Sequence, residues 1–207
     1  MYVPRFHVMD PSEVGDFVDA VGAAELITTG PDGYPLATRL PVVRDGDRWL
    51  FHFARANAHW ATIEPDTPAL AVVSGPEAYV SPGWYASKAE HGRVVPTWNY
   101  SAVQAAGRAT VHDDVDWLRE AVSRLTGLHE GRRARPWGVG DAPAQYLAKQ
   151  LRAIVGVELL VERIEAKAKL SQNRSAEDAA GVVAGLRAEG GRREQDVADA
   201  MQQLPST

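Results

Sequence analysis

Arg48-Trp49-Leu50-Phe51-His52-Phe53-Ala54-Arg55-Ala56-Asn57-Ala58-His59-Trp60 is the stretch on which the fold turns. Its first half is an apolar run with strand character, and its second half opens a short helix-forming piece, so the chain reads as a strand running straight into a helix start. Asn57 suits the N-cap, and the N–H groups and positive dipole end of that helix would lie beside Arg55. Such a combination favours an anion, a phosphate above all. On its N-terminal side lie two strand-like pieces, 25–29 and 34–43. Gly30-Pro31-Asp32-Gly33 separates them, and Asp45-Gly46-Asp47 separates the second from the strand at 48–53. Two hairpins in tandem make an antiparallel meander.

Outward from the meander, Asp10-Pro11-Ser12-Glu13 starts a helix: an aspartate cap, proline at the first helical position, and glutamate where a capping box places it. Val14, Phe17, Val18 and Val21 then share one apolar face. Ala69-Leu70-Ala71-Val72-Val73 reads as a buried strand, 77–81 as a further short one, and 102–112 as a strand with weak alternation. Helices are expected over 117–128 and 143–151, joined by an arginine- and glycine-rich surface crossing at 127–140. The residues 155–164 form the last strong strand. From 175 to 204 the tail reads as two helices split at Gly190-Gly191, with Ser175 or Asn173 as cap. Strands with short turns dominate the middle, which predicts a mainly β fold with added α: a small antiparallel barrel decorated with helices, with an open α+β sheet as the alternative.

The 207 residues are 45% hydrophobic and 24% charged, enough for one sizeable domain with an appendage. There is no cysteine, so disulfides, thiolate metal sites and a cysteine nucleophile are all excluded. No apolar run approaches the roughly 20 residues of a membrane span, and the N-terminus lacks a signal-peptide core, so a cytoplasmic protein is expected. A net charge of −5 argues against direct DNA reading, since the only basic run, around Arg132, Arg133 and Arg135, sits in the Gly/Pro-rich crossing.

Six histidines are scattered without a His-x-x-x-His pair, and no Gly-x-Ser-x-Gly elbow, Walker loop or dinucleotide fingerprint occurs. Chemistry with so few conventional groups points to an organic cofactor. Three segments carry more polar and aromatic groups than a plain core or loop: Ala37-Thr38-Arg39-Leu40-Pro41, the region 74–85, and Val94-Val95-Pro96-Thr97-Trp98-Asn99-Tyr100. Trp84, Tyr85, Trp98 and Tyr100 are of the type that stacks on a planar ligand, and Thr97 and Asn99 of the type that bonds its edge.

Met1-Tyr2-Val3-Pro4, the 52–60 stretch, Ser74-Gly75-Pro76 with Tyr79-Val80-Ser81-Pro82 and Trp84-Tyr85, Val95-Pro96-Thr97-Trp98-Asn99-Tyr100, and Lys169-Leu170-Ser171-Gln172-Asn173 together resemble the PaiB family, described as FMN-binding negative transcriptional regulators. The resemblance implies an antiparallel split β-barrel of the pyridoxamine-phosphate-oxidase type, a homodimer, and FMN as cofactor. Carried over by blocks, it assigns His52, Phe53, Ala54, Arg55, Asn57 and Trp60 to the FMN phosphate and ribityl chain, with Arg39, Leu40 and Pro41 on the neighbouring strand. Trp98 and Asn99 would approach the flavin ring, and Lys169 and Gln172 would reach cofactor or substrate from the end of the last strand. The expected division is a barrel domain, 1–165, and a helical extension, 166–207. Two functions are compatible with these blocks: a dimeric FMN-binding regulator acting indirectly, or an FMN-dependent oxidoreductase on a small substrate. A barrel that has lost its cofactor is the third reading, against which Arg39, Arg55 and Asn57 stand.

Overall fold

The computed structural model describes residues 1–204; Pro205, Ser206 and Thr207, the end of the expected extension, lie outside the described residues. Six strands, β1 (Ala23–Thr29), β2 (Pro35–Asp45), β3 (Arg48–Ala54), β4 (Thr67–Val80), β5 (Thr97–His112) and β6 (Ile154–Lys169), close into a barrel in the order β1-β2-β3-β6-β5-β4. The predicted meander is present. β1 and β2 pair antiparallel from Ala23 opposite Pro41 to Thr29 opposite Pro35, and β2 and β3 from Val42 opposite Phe51 to Asp45 opposite Arg48. Gly46, the first of the two residues linking β2 to β3, has φ +66°, a conformation that suits glycine.

Three strands differ from the sequence reading. The pieces at 69–73 and 77–81 are one strand, β4, because β1 pairs only with Leu70, Ala71 and Val72, so Gly75-Pro76 interrupts no β1–β4 bond. β5 alternates strictly between buried and half-buried positions, but its buried positions carry Ser101, Val103, Ala105, Gly107 and Ala109, which are too small to stand out as a hydrophobic stripe. β6 continues to Lys169, five residues past the expected end, and takes in two lysines that the fold satisfies internally: buried Lys167 donates to the Tyr2 carbonyl at 3.2 Å and half-buried Lys169 to the Trp98 carbonyl at 2.7 Å.

By contacts the chain forms two compact units. The first consists of 15–73 and 104–164. It contains α1 (Val14–Val21) but for its first residue, the meander, α3 (Val115–Glu130) and α4 (Ala144–Arg152). Trp49, Phe51 and Phe53 are its largest fully buried side chains. The Asp114 side chain caps α3 by accepting the Trp117 N–H at 2.8 Å, and Leu118, Leu147, Leu151 and Val139 then pack together. Gly156 lets β6 pass under the Trp117 ring, where a Cβ would collide.

The second unit consists of 1–14, 74–103 and 165–204, with α2 (Ser87–His91), α5 (Ala176–Glu189) and α6 (Arg192–Gln202). Ser175 caps α5, and Gly190, at φ +74°, ends it, as the sequence predicts. Trp84 lies against Gly181 and Gly185, one turn apart on α5, where any side chain would meet its backbone or ring. Asp10 accepts the Ser12 N–H at 2.8 Å and the Ser12 hydroxyl at 2.6 Å, forming a turn before α1.

Candidate functional site

Within the first unit the quoted stretch behaves as a strand and turn. Asn57 Oδ1 accepts the His59 N–H at 2.9 Å, so the cap exists, but it opens a five-residue 3-10 turn, Ala58–Thr62, and not the α-helix expected. Five residues align too few peptide dipoles to hold an anion by themselves. The reason for the tight turn is His59. It is buried, with Nε2 at 2.9 Å from the Thr28 hydroxyl of β1 and Nδ1 at 2.8 Å from the Thr38 hydroxyl of β2, while its ring meets Phe53 edge-on at 5.2 Å. Trp60 Nε1 donates to the Arg55 carbonyl at 2.9 Å and folds the turn back on itself.

Arg55 is a junction. Its Nε donates to the Arg152 carbonyl at 2.7 Å, Nη2 to the Ile154 carbonyl at 2.9 Å, and the guanidinium fork grips Asp113, with Nη1 to Oδ2 at 3.0 Å. The Asp113 partnership raises the guanidinium's pKa, and the same bond pulls the Asp113 carboxyl down. Arg39 projects from β2 and pairs with Glu25, directly opposite on β1. Leu40 is buried, Pro41 and His52 are half-buried, and Ala54 is exposed at the end of β3. The structure therefore brings Arg39, Leu40, Pro41, His52, Phe53, Ala54, Arg55, Asn57 and Trp60 into one unit.

Trp98, Asn99, Lys169 and Gln172 belong to the other unit. Trp98 is 49% exposed and meets Tyr79 edge-on at 6.2 Å. Asn99 is buried, its amide at 3.0 Å from Ser171 Oγ and 3.4 Å from Met201 Sδ, so its hydrogen-bonding capacity is used in packing. Lys169 Nζ donates to Thr97 Oγ1 and, at 2.7 Å, to the Trp98 carbonyl; burial lowers its pKa, against Tyr100, with Lys167 and Arg174 adding to the decrease. Gln172 accepts the Leu170 N–H at 2.8 Å and donates to the Ala168 carbonyl at 2.7 Å, with His7 Nδ1 3.0 Å from its oxygen.

Sequence reasoning missed Asp113, Thr28, Thr38 and the role of His59. Asp113 lies 58 residues from Arg55, and no local pattern announces such a partner. His59 was legible as the second histidine of the quoted stretch, but its two threonines sit on other strands.

Burial depresses the pKa of His7, His52, His59 and His112 below the ordinary 6.5. The unfolded chain then binds more protons than the folded one as pH falls below 6.5, so stability is complete above that value and is lost toward the depressed folded values. The denaturant midpoint is expected to fall between pH 7.5 and pH 5.5, and His59→Gln to reduce that slope; a midpoint unchanged over this window contradicts the assignment.

The six strands close into a barrel that carries Arg39 on β2 and Arg55 just after β3. The family profile described as "Putative FMN-binding domain" matches residues 1–163, and the chain belongs to that FMN-binding family. It is 33% identical over 207 residues to the protease synthase and sporulation protein PAI 2 of Bacillus subtilis, covering 98% of this chain and 97% of that protein. Among solved structures, a conserved hypothetical protein from Mycobacterium tuberculosis superposes with TM-score 0.61 at 15% identity, covering 84% of this chain and 92% of its own. The FAD and heme binding protein from Mycobacterium smegmatis does so with TM-score 0.55 at 17%, covering 88% and 78%. At these identities the structural likeness establishes the fold.

The cofactor of this flavoprotein is FMN, and guanidinium groups such as those of Arg39 and Arg55 have the chemistry that a phosphate takes. Arg39 is held by Glu25, and Arg55 by Asp113 and the Arg152 and Ile154 carbonyls, with side chains 56% and 37% exposed. Exposed pairs of this kind are weakened by solvent screening. A phosphate dianion, which accepts bidentate bonds from a guanidinium fork, can join or replace those carboxylates. Among the described residues no helix is long and apolar enough to cross a membrane.

Proposed function

We propose that the chain is a homodimeric FMN-binding protein of the PaiB type that holds the cofactor phosphate with Arg39 and Arg55, aided by Asn57 and the turn it caps, and that it acts on transcription indirectly from the cytoplasm. The observation that carries this reading is the pair of exposed guanidiniums, Arg39 on β2 and Arg55 just after β3, on a meander pinned by His59. Bound FMN supplies one- and two-electron transfer. The protein's part is to bind the phosphate and to hold the turn rigid. Residues 1–165 then serve as the cofactor-binding part, and 166–207, which begins with the last residues of β6, as a mainly helical extension.

Indirect action is favoured by the acidic net charge of −5 and by the crossing after α3, where Arg133 is already paired with Glu130 at 2.8 Å. The same features support a second reading, an FMN-dependent oxidoreductase whose small substrate sets the regulatory effect. Purified protein incubated with FMN and desalted is expected to show the two visible bands of an oxidised flavin, at one flavin per chain, and to sediment as a dimer at micromolar concentration. Colourless protein after that treatment, or a stable monomer, contradicts the proposal.

A further inference from the structure

A cavity of about 620 Å³ lies within the second unit, walled by the N-terminal segment, the end of β6, α5 and the end of α6. Small-molecule sites occupy roughly 300–1,000 Å³. Its walls are mostly apolar: Met9, Leu170 and Met201 are buried, while Phe6 and Val8 stand 53% and 54% exposed and would be covered by an occupant. None of the guanidinium-bearing residues assigned above to the FMN phosphate lines it, and of the residues expected at the cofactor only Gln172 does, with both ends of its amide bonded inside the protein.

The walls are built before any ligand arrives. Val8 bridges to Lys167 on β6, and the Met9 N–H donates to the Ala166 carbonyl at 3.3 Å, which fixes the N-terminal segment. His7 packs against Gln172, and Asn99 ties Ser171 to Met201. Pre-formed walls spare a ligand the cost of ordering them.

Arg174 is the one cationic residue on these walls. Its guanidinium lies 4.5 Å from the Tyr85 ring centroid and takes part in no ion pair among the described residues. Asp178, the acid that feels its charge, is spent on Ser87, accepting the backbone N–H at 2.9 Å and the hydroxyl at 2.7 Å. Arg174 thus keeps a planar fork of donors for a bidentate acceptor. Asp10 and Glu13 stand on the N-terminal wall and repel a second negative charge there.

The geometry points to a binding site for an amphipathic carboxylate, with its carboxylate on Arg174 and its apolar body between Met9, Leu170 and Met201, separate from the residues that bind the FMN phosphate. Methionine lets such a wall adapt to bodies of different shape. The test is titration calorimetry of the full chain with decanoate, decanol and decylamine, which share one apolar body and differ in head charge. Decanoate is expected to bind tightest. Arg174→Gln is expected to weaken decanoate about tenfold and leave decanol unchanged, the loss of one charge-assisted contact. Ala179→Trp, which fills the cavity from α5, is expected to abolish binding of all three; should that variant not fold, Arg174→Gln, at a partly exposed position, still decides. Equal affinity for the three heads, tightest binding of decylamine, no binding at all, or decanoate affinity unchanged in Arg174→Gln overturns the proposal.

Discussion

Phe53→Ala is expected to lower stability by about 3–5 kcal/mol, the usual cost of deleting a fully buried aromatic ring. Phe53 has no exposed surface, sits on β3 opposite Val155 of β6, and presents its face or edge to the ring of His59 at 5.2 Å. Its loss leaves a void and removes the surface that aligns His59 between Thr28 and Thr38. The 3-10 turn carrying Asn57 and the neighbouring Arg55 should therefore loosen as well as the barrel. Urea denaturation measures the first effect, and FMN titration at a temperature where the variant is folded measures the second. A loss below about 1 kcal/mol would mean that the site collapses around the missing ring, against the tight packing described.

Gly107→Ala is expected to cost about 3 kcal/mol or more, at the upper end of overpacking effects. A Cβ at this position of β5 would run into the Leu160 carbonyl oxygen, with the carbonyl carbon at 2.8 Å and the Val161 Cα at 3.0 Å. Those atoms are all backbone, so no side chain can turn aside, and β5 must move away from β6. Gly156 offers the contrast: a Cβ there meets the Trp117 ring, which is a side chain. Gly156→Ala should therefore cost less than Gly107→Ala by chemical denaturation, and the reverse order would contradict this reading of the strand contact.

The elements legible in the sequence are those whose signals are local. Two glycine-bearing turns gave the meander, Ser175 marked its helix start and Gly190-Gly191 split the tail, whereas Asp10, read as a helix cap, forms a turn ahead of a helix that begins at Val14. Gly75-Pro76 reads as a break between two strands, yet β4 runs through it, because β1 pairs only with residues 70–72. For the candidate site, residue types were legible and partners were not. Arg55 beside an N-cap reads as a cation waiting for an anion; in the folded chain it grips Asp113, brought from the end of β5. Asn99 reads as a ligand-edge donor, whereas its amide faces Ser171 and Met201. The cavity beside Arg174 is assembled from the two ends of the chain, and nothing local in either end discloses it.

The central claim is that the two exposed guanidiniums of the meander hold a flavin phosphate, and the affinities of FMN and riboflavin for the same protein test it most directly. The two ligands share the ring and the ribityl chain and differ in the phosphate alone. FMN is predicted to bind more tightly than riboflavin, with Arg55→Ala weakening FMN by about tenfold to a hundredfold and riboflavin little, as loss of charge-assisted bonds requires. Equal affinities for FMN and riboflavin in the unaltered protein would contradict the account.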